Sequence, residues 1–594
     1  TPQQLHRSKT VHSGLVHHYR IGRNIGMEPD CLKGGRTMIT FDDVSFAYQG
    51  GIPDGSEPPA LRHIHFHAER GECIVLCGKS GCGKTTMLRM VNGLVPHFYQ
   101  GRLEGDITVG NVHVKEASLP QVAAVAGSVF QNPRTQFFHL DTTGEMAFNM
   151  ENLNIPHEKM VERLKETAWK LDIQTLMDRD IFQLSGGEKQ QIACGSVYAS
   201  MPEVIVMDEP SSNLDMESIR KLQDLIRTMK DEGKTILISE HRLWYLEDIA
   251  DRYVLLKDGQ IENEFTSDEI LALSRQKLEQ SGLRAVRRKQ LWNMGTRTIR
   301  QEKDMEKAAF LEIEGLRFSR QMRQVLDINR LAIPKGAIVA VIGENGAGKS
   351  TFALCLCGLL KHHGTVRING ERISNKKLPE QAYLVMQEPG HQLFSDSVLG
   401  ELMLNKGTVT ETEAVAILEK MGLAGLENRH PGSLSGGQQQ RLSLSVALCT
   451  NREIMLYDEP TSGQDGDNLM RTAEMIREAN ENAFCSMMVT HDPELILRCA
   501  THILHIHSGE IKKFIKLDER GILYMKKVFG ENSQTEKPLK TGIPRLLEFS
   551  GKYKGLFSMS QILAGFSSLL LLAPFLCIYF ATRELLIGMS GGGY

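Results

Sequence analysis

No CxxC pair and no His/Cys cluster at zinc-binding spacing occurs in this 594-residue chain, although it has 11 cysteines. That excludes a metal- or disulfide-stapled scaffold and fits a reducing compartment. The closest pair, Cys355 and Cys357, falls in a helix-like segment, where buried free thiols are expected. Charge of one sign is missing too. The 69 Lys and Arg stand against 72 Asp and Glu, so no basic excess marks a nucleic-acid binder. The first 37 residues lack any long apolar run, which excludes a signal peptide there. The sequence starts with Thr, and the first well-patterned strand, "MITFDDVSFAY", begins at Met38. Residues 1–37 are expected to be an extension, or sequence upstream of a start at Met38. Otherwise the composition is that of a globular protein, with 41% apolar and 24% charged residues. The length calls for roughly three or four domain-sized pieces.

Two glycine-rich stretches stand out. "CGKSGCGKTT" runs from Cys77 to Thr86 and "IGENGAGKST" from Ile342 to Thr351, each after a short apolar run, "ECIVLCG" or "AIVAVIG". The runs read as buried strands, and the segments that follow, "TMLRMVNGL" and "TFALCLCGLL", read as helices. Strand, glycine loop, Gly-Lys-Ser/Thr and helix form the phosphate-binding P-loop context. Glycines let successive backbone N–H groups turn toward one phosphate, and the helix start adds its positive end. The candidate nucleotide-binding residues are Gly78, Lys79, Ser80, Gly81, Cys82, Gly83, Lys84, Thr85 and Thr86 in the first loop. In the second they are Gly343, Glu344, Asn345, Gly346, Ala347, Gly348, Lys349, Ser350 and Thr351. Lys84 and Lys349 are expected to reach the β- and γ-phosphates, and Thr85 and Ser350 to place a hydroxyl on Mg²⁺. A plain turn explains one loose match but not two full ones.

The repetition extends well beyond the loops. "VFQNP" carries Gln131 and "VMQEP" carries Gln387; "LSGGEKQQ" begins at Leu184 and "LSGGQQQR" at Leu434. "VIVMDEP" and "IMLYDEP" supply Asp208-Glu209 and Asp458-Glu459, followed at once by "SSNLD" and "TSGQD". "ILISEH" ends in His241 and "MMVTH" in His491. Ser185 to Asp208 and Ser435 to Asp458 are both 23 positions; Glu209 to His241 and Glu459 to His491 are both 32. Between loop and signature the halves differ, with 101 positions from Lys84 to Ser185 but 86 from Lys349 to Ser435. The apolar runs put each acid pair at a strand end beside its P-loop, where ligands gather in doubly wound sheets.

Both halves resemble nucleotide-binding domains of ATP-binding cassette (ABC) proteins, over residues 38–265 and 309–516. The resemblance implies an α/β fold of two tandem cassettes that bind ATP and Mg²⁺ and hydrolyse ATP. The stretches "VFQNPRTQFF" and "ISEHRLWYLEDIADRYVLLKDGQI" resemble more particularly the fused ATPase subunits of energy-coupling-factor importers, bacterial systems for vitamins and metal ions. By that resemblance Asp208 and Asp458 hold Mg²⁺, while Glu209 and Glu459 polarise the attacking water as general bases. His241 and His491 contact the γ-phosphate, and Gln131 and Gln387 sense the metal and the water. Ser185, Gly186 and Gly187 complete the site of Lys349, as Ser435, Gly436 and Gly437 complete that of Lys84, through intramolecular head-to-tail pairing. Tyr48 stacks on adenine; its aligned residue is Arg320, with Phe318 two residues earlier, a departure that bears on the second site's nucleotide preference.

The resemblance also implies partners: transmembrane permease subunits, which meet the stretch after each Gln, and a separate substrate-binding membrane protein, at the cytoplasmic face of a bacterial plasma membrane. Nucleic acid is not expected. Residues 266–308 are read as a linker, polar, basic and solvated over 274–308, and 517–548 as a second linker. Residues 549–594 are read as the start of a transmembrane segment, because residues 562–581 form an uncharged run of 20, bilayer length, preceded by Arg545, Lys552 and Lys554. That tail resembles the opening helix of an exporter's membrane domain and suggests a truncated or fused product. An exporter component, a soluble twin-cassette ATPase acting on ribosomes or DNA, and a non-catalytic regulatory module are the competing readings. The paired Glu and His residues argue against the last, and the absence of clustered cysteines against the iron–sulfur type of the second.

Overall fold

The computed structural model describes residues 37–49, 59–293, 309–320, 323–404, 409–450 and 452–530. Residues 1–36 of the expected extension, the apolar run 562–581 and its basic flank lie outside the described residues, and Thr37 already belongs to the first strand. Among the described residues no helix is long and apolar enough to cross a membrane. The chain divides into two compact units, residues 1–521 and 522–594; of the second, only residues 522–530 are described.

The first unit contains two copies of one architecture. In the first copy the central strands are β1 (Cys73–Gly78), β2 (Ala126–Val129), β3 (Val204–Asp208), β4 (Thr235–Ser239), β5 (Arg252–Lys257) and β6 (Gln260–Thr266). They lie in the order β2-β3-β4-β1-β5-β6, parallel except for the edge strand β6. In the second copy β7 (Ala337–Ile342), β8 (Ala382–Val385), β9 (Ile454–Asp458), β10 (Cys485–Val489), β11 (His502–His507) and β12 (Glu510–Lys516) repeat that order as β8-β9-β10-β7-β11-β12. Strands β1 and β7 are buried along their whole length, which is why they read as unbroken apolar runs rather than alternating ones. A four-stranded antiparallel sheet accompanies each central sheet and shares its core.

Helices begin where the glycine stretches end. They are α1 (Lys84–Val91) after β1, α2 (Gly186–Ala199) at the first "LSGG", α6 (Lys349–Leu356) after β7 and α7 (Gly436–Leu448) at the second. Among the described residues between the copies lie three short helices, α3 (Ser267–Ala272), α4 (Arg275–Gln280) and α5 (Arg288–Trp292).

Those three helices correct the expectation of a solvated linker over its described part. Leu278, Leu283, Val286, Leu291 and Trp292 are buried, and so is Arg284, at 2% exposure. The Arg284 Nη2 bonds both carboxylate oxygens of Asp492 at 2.6 and 2.7 Å, and its Nε bonds Glu494 at 3.1 Å. Polar composition misleads here because a cation can be buried when its partners are buried opposite it.

The described cysteines are all buried and free. Burial pushes the thiols of Cys73, Cys77 and Cys194 up to about 12, so they stay protonated and inert. Iodoacetamide at neutral pH is therefore expected to spare all nine in the native protein and to label them in urea, read by peptide mass spectrometry. Rapid native labelling of any one of them would contradict this packing.

Candidate nucleotide sites

Each P-loop is shaped by strand packing. A Cβ on Gly78 would lie 2.2 Å from the carbonyl oxygen of Leu256 on β5, and one on Gly343 would lie 2.1 Å from that of Ile506 on β11. No side chain fits there. Gly83 and Gly348 precede α1 and α6 in the left-handed region, at φ 107° and 97°. Neither helix has a side-chain cap or an acidic residue in its first turn. Their leading N–H groups are therefore available to an anion, as phosphate binding requires. The Lys84 ammonium donates to Gly78 O and Lys79 O at 3.1 and 3.0 Å, and Lys349 to Gly343 O and Glu344 O at 2.8 Å each. Each lysine thus arches over its own loop. Burial lowers the Lys349 pKa against the pull of Glu459 and Asp215.

The acid pairs stand beside the loops. Thr85 Oγ1 donates to Asp208 Oδ1 and Ser350 Oγ to Asp458 Oδ1, both at 3.2 Å. Glu209 and Glu459 follow at φ 43° and 46°, a strained setting for a side chain larger than glycine, which turns them out of the strand. In the first half Gln131 Nε2 donates to Glu209 Oε2 at 2.7 Å, and His241 Nε2 lies 3.3 Å from Glu209 Oε1. In the second half His491 Nε2 is 3.8 Å from Glu459 Oε1, and Thr490 Oγ1 donates to Glu459 Oε2 at 3.4 Å. Gln387 lines a cavity with Lys349, Glu459 and His491.

The two glutamates differ electrostatically. Burial raises the pKa of both Asp208 and Asp458. Burial also lifts Glu459, helped by Asp458 and opposed by Arg242 and Lys349, to about 7. Glu209 meets the same burial, but His241 and Lys84 outweigh it and hold the carboxyl below its ordinary value. His491 is pushed well down by burial and by the Lys349 charge, and is neutral.

Tyr48 is half-buried, its hydroxyl 3.1 Å from Thr86 Oγ1 and accepting from Arg89 at 3.3 Å. Arg320, at the aligned place, is exposed, and Phe318 packs on the second core.

The signature serines are self-capped. Ser185 Oγ accepts from Glu188 N at 3.3 Å while Glu188 accepts from Ser185 N; Ser435 and Gln438 repeat this capping box. Gly186 and Gly436 are exposed, Gly437 likewise, and Gly187 is buried against Ser218. Hydrogen bonds between the halves run elsewhere among the described residues. Asp465 Oδ2 accepts from Ser80 N in the first P-loop at 2.7 Å, and Asp215 Oδ2 accepts from Asn345 N in the second at 3.1 Å. The other oxygen of each caps its own helix, at Ser218 and Asn468. Lys79 pairs with Asp467 at 2.7 Å, and Ser462 Oγ donates to Asn213 Oδ1 at 2.7 Å. Asp215 and Asp465 end "SSNLD" and "TSGQD", and their identical place in both halves is the signal in the sequence for this shared task.

Each loop leads into an uncapped helix start beside a lysine ammonium, with a carboxylate pair alongside, and that is a setting for a nucleoside triphosphate. The chain is a twin-site P-loop ATPase. The profile described as ABC transporter matches residues 61–212 and 326–462. A Treponema denticola protein named "Putative ABC transporter ATP-binding protein" is 38% identical over 82% of this chain and 99% of its own length. "Putative HMP/thiamine import ATP-binding protein YkoD" of Bacillus subtilis is 31% identical over 79% of this chain and 90% of its own. A solved structure titled "RNase-L Inhibitor" superposes with a TM-score of 0.57 over 82% of this chain and 93% of its own, at 19% identity, a likeness of fold. This chain belongs to the ABC transporter family of ATP-binding proteins, as a member with two cassettes that binds and hydrolyses ATP.

Proposed function

We propose that this ATPase powers uptake of a vitamin or metal ion through separate membrane subunits, in the manner of energy-coupling-factor importers, from the cytoplasmic face of the membrane. The observation that carries the reading is a pair of matched apolar knuckles. Phe138 lies seven residues after Gln131 and is 74% exposed; Phe394 lies seven after Gln387 and is 79% exposed. Each is held out by a buried glutamate: Glu145 accepts from the N–H of Phe138 and His139, and Glu401 from that of Phe394 and Ser395. A large apolar side chain kept exposed by a built backbone clamp suits a protein partner. The hydrogen bond from Gln131 to Glu209 gives the first of these loops a direct link to the hydrolytic site. The import-protein relative supports the direction of transport.

In this reading the P-loop amides with Lys84 and Lys349 hold the phosphates, Tyr48 packs on adenine, and Glu209 and Glu459 draw a proton from the attacking water. His241 and His491 contact the γ-phosphate, Gln131 and Gln387 sense the metal and the attacking water, and the signature residues close each site from the opposite half. The donors fit Mg²⁺. Thr85 with Asp208 and Ser350 with Asp458 offer hydroxyl and carboxylate oxygens, as a hard cation prefers. Among the described residues no cluster of three or more His, Cys, Asp or Glu is able to hold a metal alone. Thr85 with Asp208 and Ser350 with Asp458 would hold a magnesium ion, which would supply charge neutralisation on the triphosphate.

The test is co-purification of the chain with its membrane partners and identification of the bound small molecule. Phe138→Asp with Phe394→Asp is expected to abolish capture of the membrane subunits while nucleotide binding persists, because the P-loop lysines and the acid pairs are unchanged. Undiminished capture would remove this docking surface.

A further inference from the structure

The residue after each strand-end histidine carries opposite charge in the two halves. Arg242 follows His241, and Asp492, at the same place in the repeat, follows His491. Both are buried, at 4% and 0% exposure. Both touch the loop that follows their own half's glutamate. Arg242 Nη1 donates to Ser211 O at 3.1 Å and Leu214 O at 3.4 Å; Asp492 Oδ2 accepts from Thr461 Oγ1 at 3.0 Å. The fold therefore gives them one position, and only the chemistry differs.

Their surroundings differ as well. Asp492 is answered by Arg284, forked onto both carboxylate oxygens, and the Arg242 charge also acts on it across the halves. Arg242 instead lines the cavity that holds Lys349, Glu459 and His491 of the other half. It braces the loop from Ser211 to Leu214, and the next residue, Asp215, seats Asn345 of the second P-loop. The same loop brings Asn213 to that cavity. At the first site the equivalent residue is Gly463, which lies against Glu209 and Gln131 and has no side chain to offer.

We propose that Arg242, supplied by the first cassette, is a positioning residue for hydrolysis at the second nucleotide site, and that the first site has no equivalent. It acts in two ways. Its hydrogen bonds fix the loop that presents Asp215 and Asn213 to the second half. Its guanidinium sets a fixed positive charge in a partly buried pocket, where negative charge shifts among oxygens as the γ-phosphate is cleaved. A cation already in place needs no reorganisation during the reaction, so its removal acts on turnover more than on binding. The two sites are then unequal, with the second dependent on the first cassette for a charge it does not return.

This inference rests on the reading of Glu209 and Glu459 as the two bases. The experiment measures kcat and KM for Mg·ATP in the full chain, with Glu209→Gln or Glu459→Gln leaving one base at a time. Arg242→Met and Arg242→Lys are each added to both backgrounds. Arg242→Met is expected to lower kcat about tenfold or more when only Glu459 remains, with KM changed less than about threefold, and to cost at least about fivefold less when only Glu209 remains. Arg242→Lys, which keeps the charge, is expected to recover most of the second-site loss. It carries the comparison alone should the Met variant fail to fold, with second-site turnover kept within about threefold of the parent. Equal losses in both backgrounds, no loss, or a Lys variant as impaired as the Met variant would overturn the proposal. If neither Glu→Gln change lowers turnover, the reading of the bases falls and the proposal falls with it. If both lower it and Arg242→Met shows no preference between sites, the proposal alone falls.

Discussion

Glu209→Gln combined with Glu459→Gln is expected to leave a protein that binds ATP and holds it uncleaved. Glutamine keeps the size and one acceptor oxygen of glutamate, so the 2.7 Å bond from Gln131 Nε2 has an acceptor to use. It cannot take a proton from water. Loss of a general base of this kind costs about 10²–10⁴-fold in turnover. The P-loop lysines and the Thr85–Asp208 and Ser350–Asp458 pairs are untouched, so nucleotide affinity should survive. Phosphate release gives the rate, and retention of labelled ATP after gel filtration gives the trapped state. Unchanged turnover in the double variant would remove both glutamates from the chemistry.

Arg284→Met is expected to give the largest stability loss of any single change outside the sites. It strands two carboxylates, Asp492 at 0% and Glu494 at 1% exposure, with their forked partner gone. Thr461 and Arg498 remain as lesser partners, at 3.0 and 3.2 Å. Breaking a buried ion pair from one side typically costs about 3–5 kcal/mol, since an uncompensated charge stays buried. Urea unfolding of the full chain should move to lower midpoint. Adding Asp492→Asn and Glu494→Gln should restore part of the loss by removing the stranded charges. A midpoint unmoved by Arg284→Met would mean that the pair is hydrated in solution and that the helices α3 to α5 are the loose linker their composition suggested.

Comparison of the two halves shows how far sequence reaches. The P-loops were legible because their backbone tolerates only certain residues: at Gly78 and Gly343 a neighbouring strand leaves no room for a Cβ, and that restriction is written locally. The acid pairs and histidines were legible because they terminate short apolar runs, and runs buried on both faces have a composition of their own. Glu145 and Glu401 escaped notice, although each stands 14 positions after its Gln; a buried acid in a helix looks like a surface one until its backbone partners are known.

By itself the sequence determined that there are two cassettes, where each phosphate loop lies, and which carboxylates and histidines accompany it, because those features depend on backbone geometry within short segments. Tertiary structure alone decided how the halves engage. The bond from Ser80 to Asp465 spans 385 positions and that from Arg284 to Asp492 spans 208, distances over which no pattern or period links the partners. Whether the charge of Arg242 belongs to its own half or to the other was also decided there. A guanidinium is directed by the carbonyls it bonds and the cavity left beside them, and both are set only once the two cassettes have packed together.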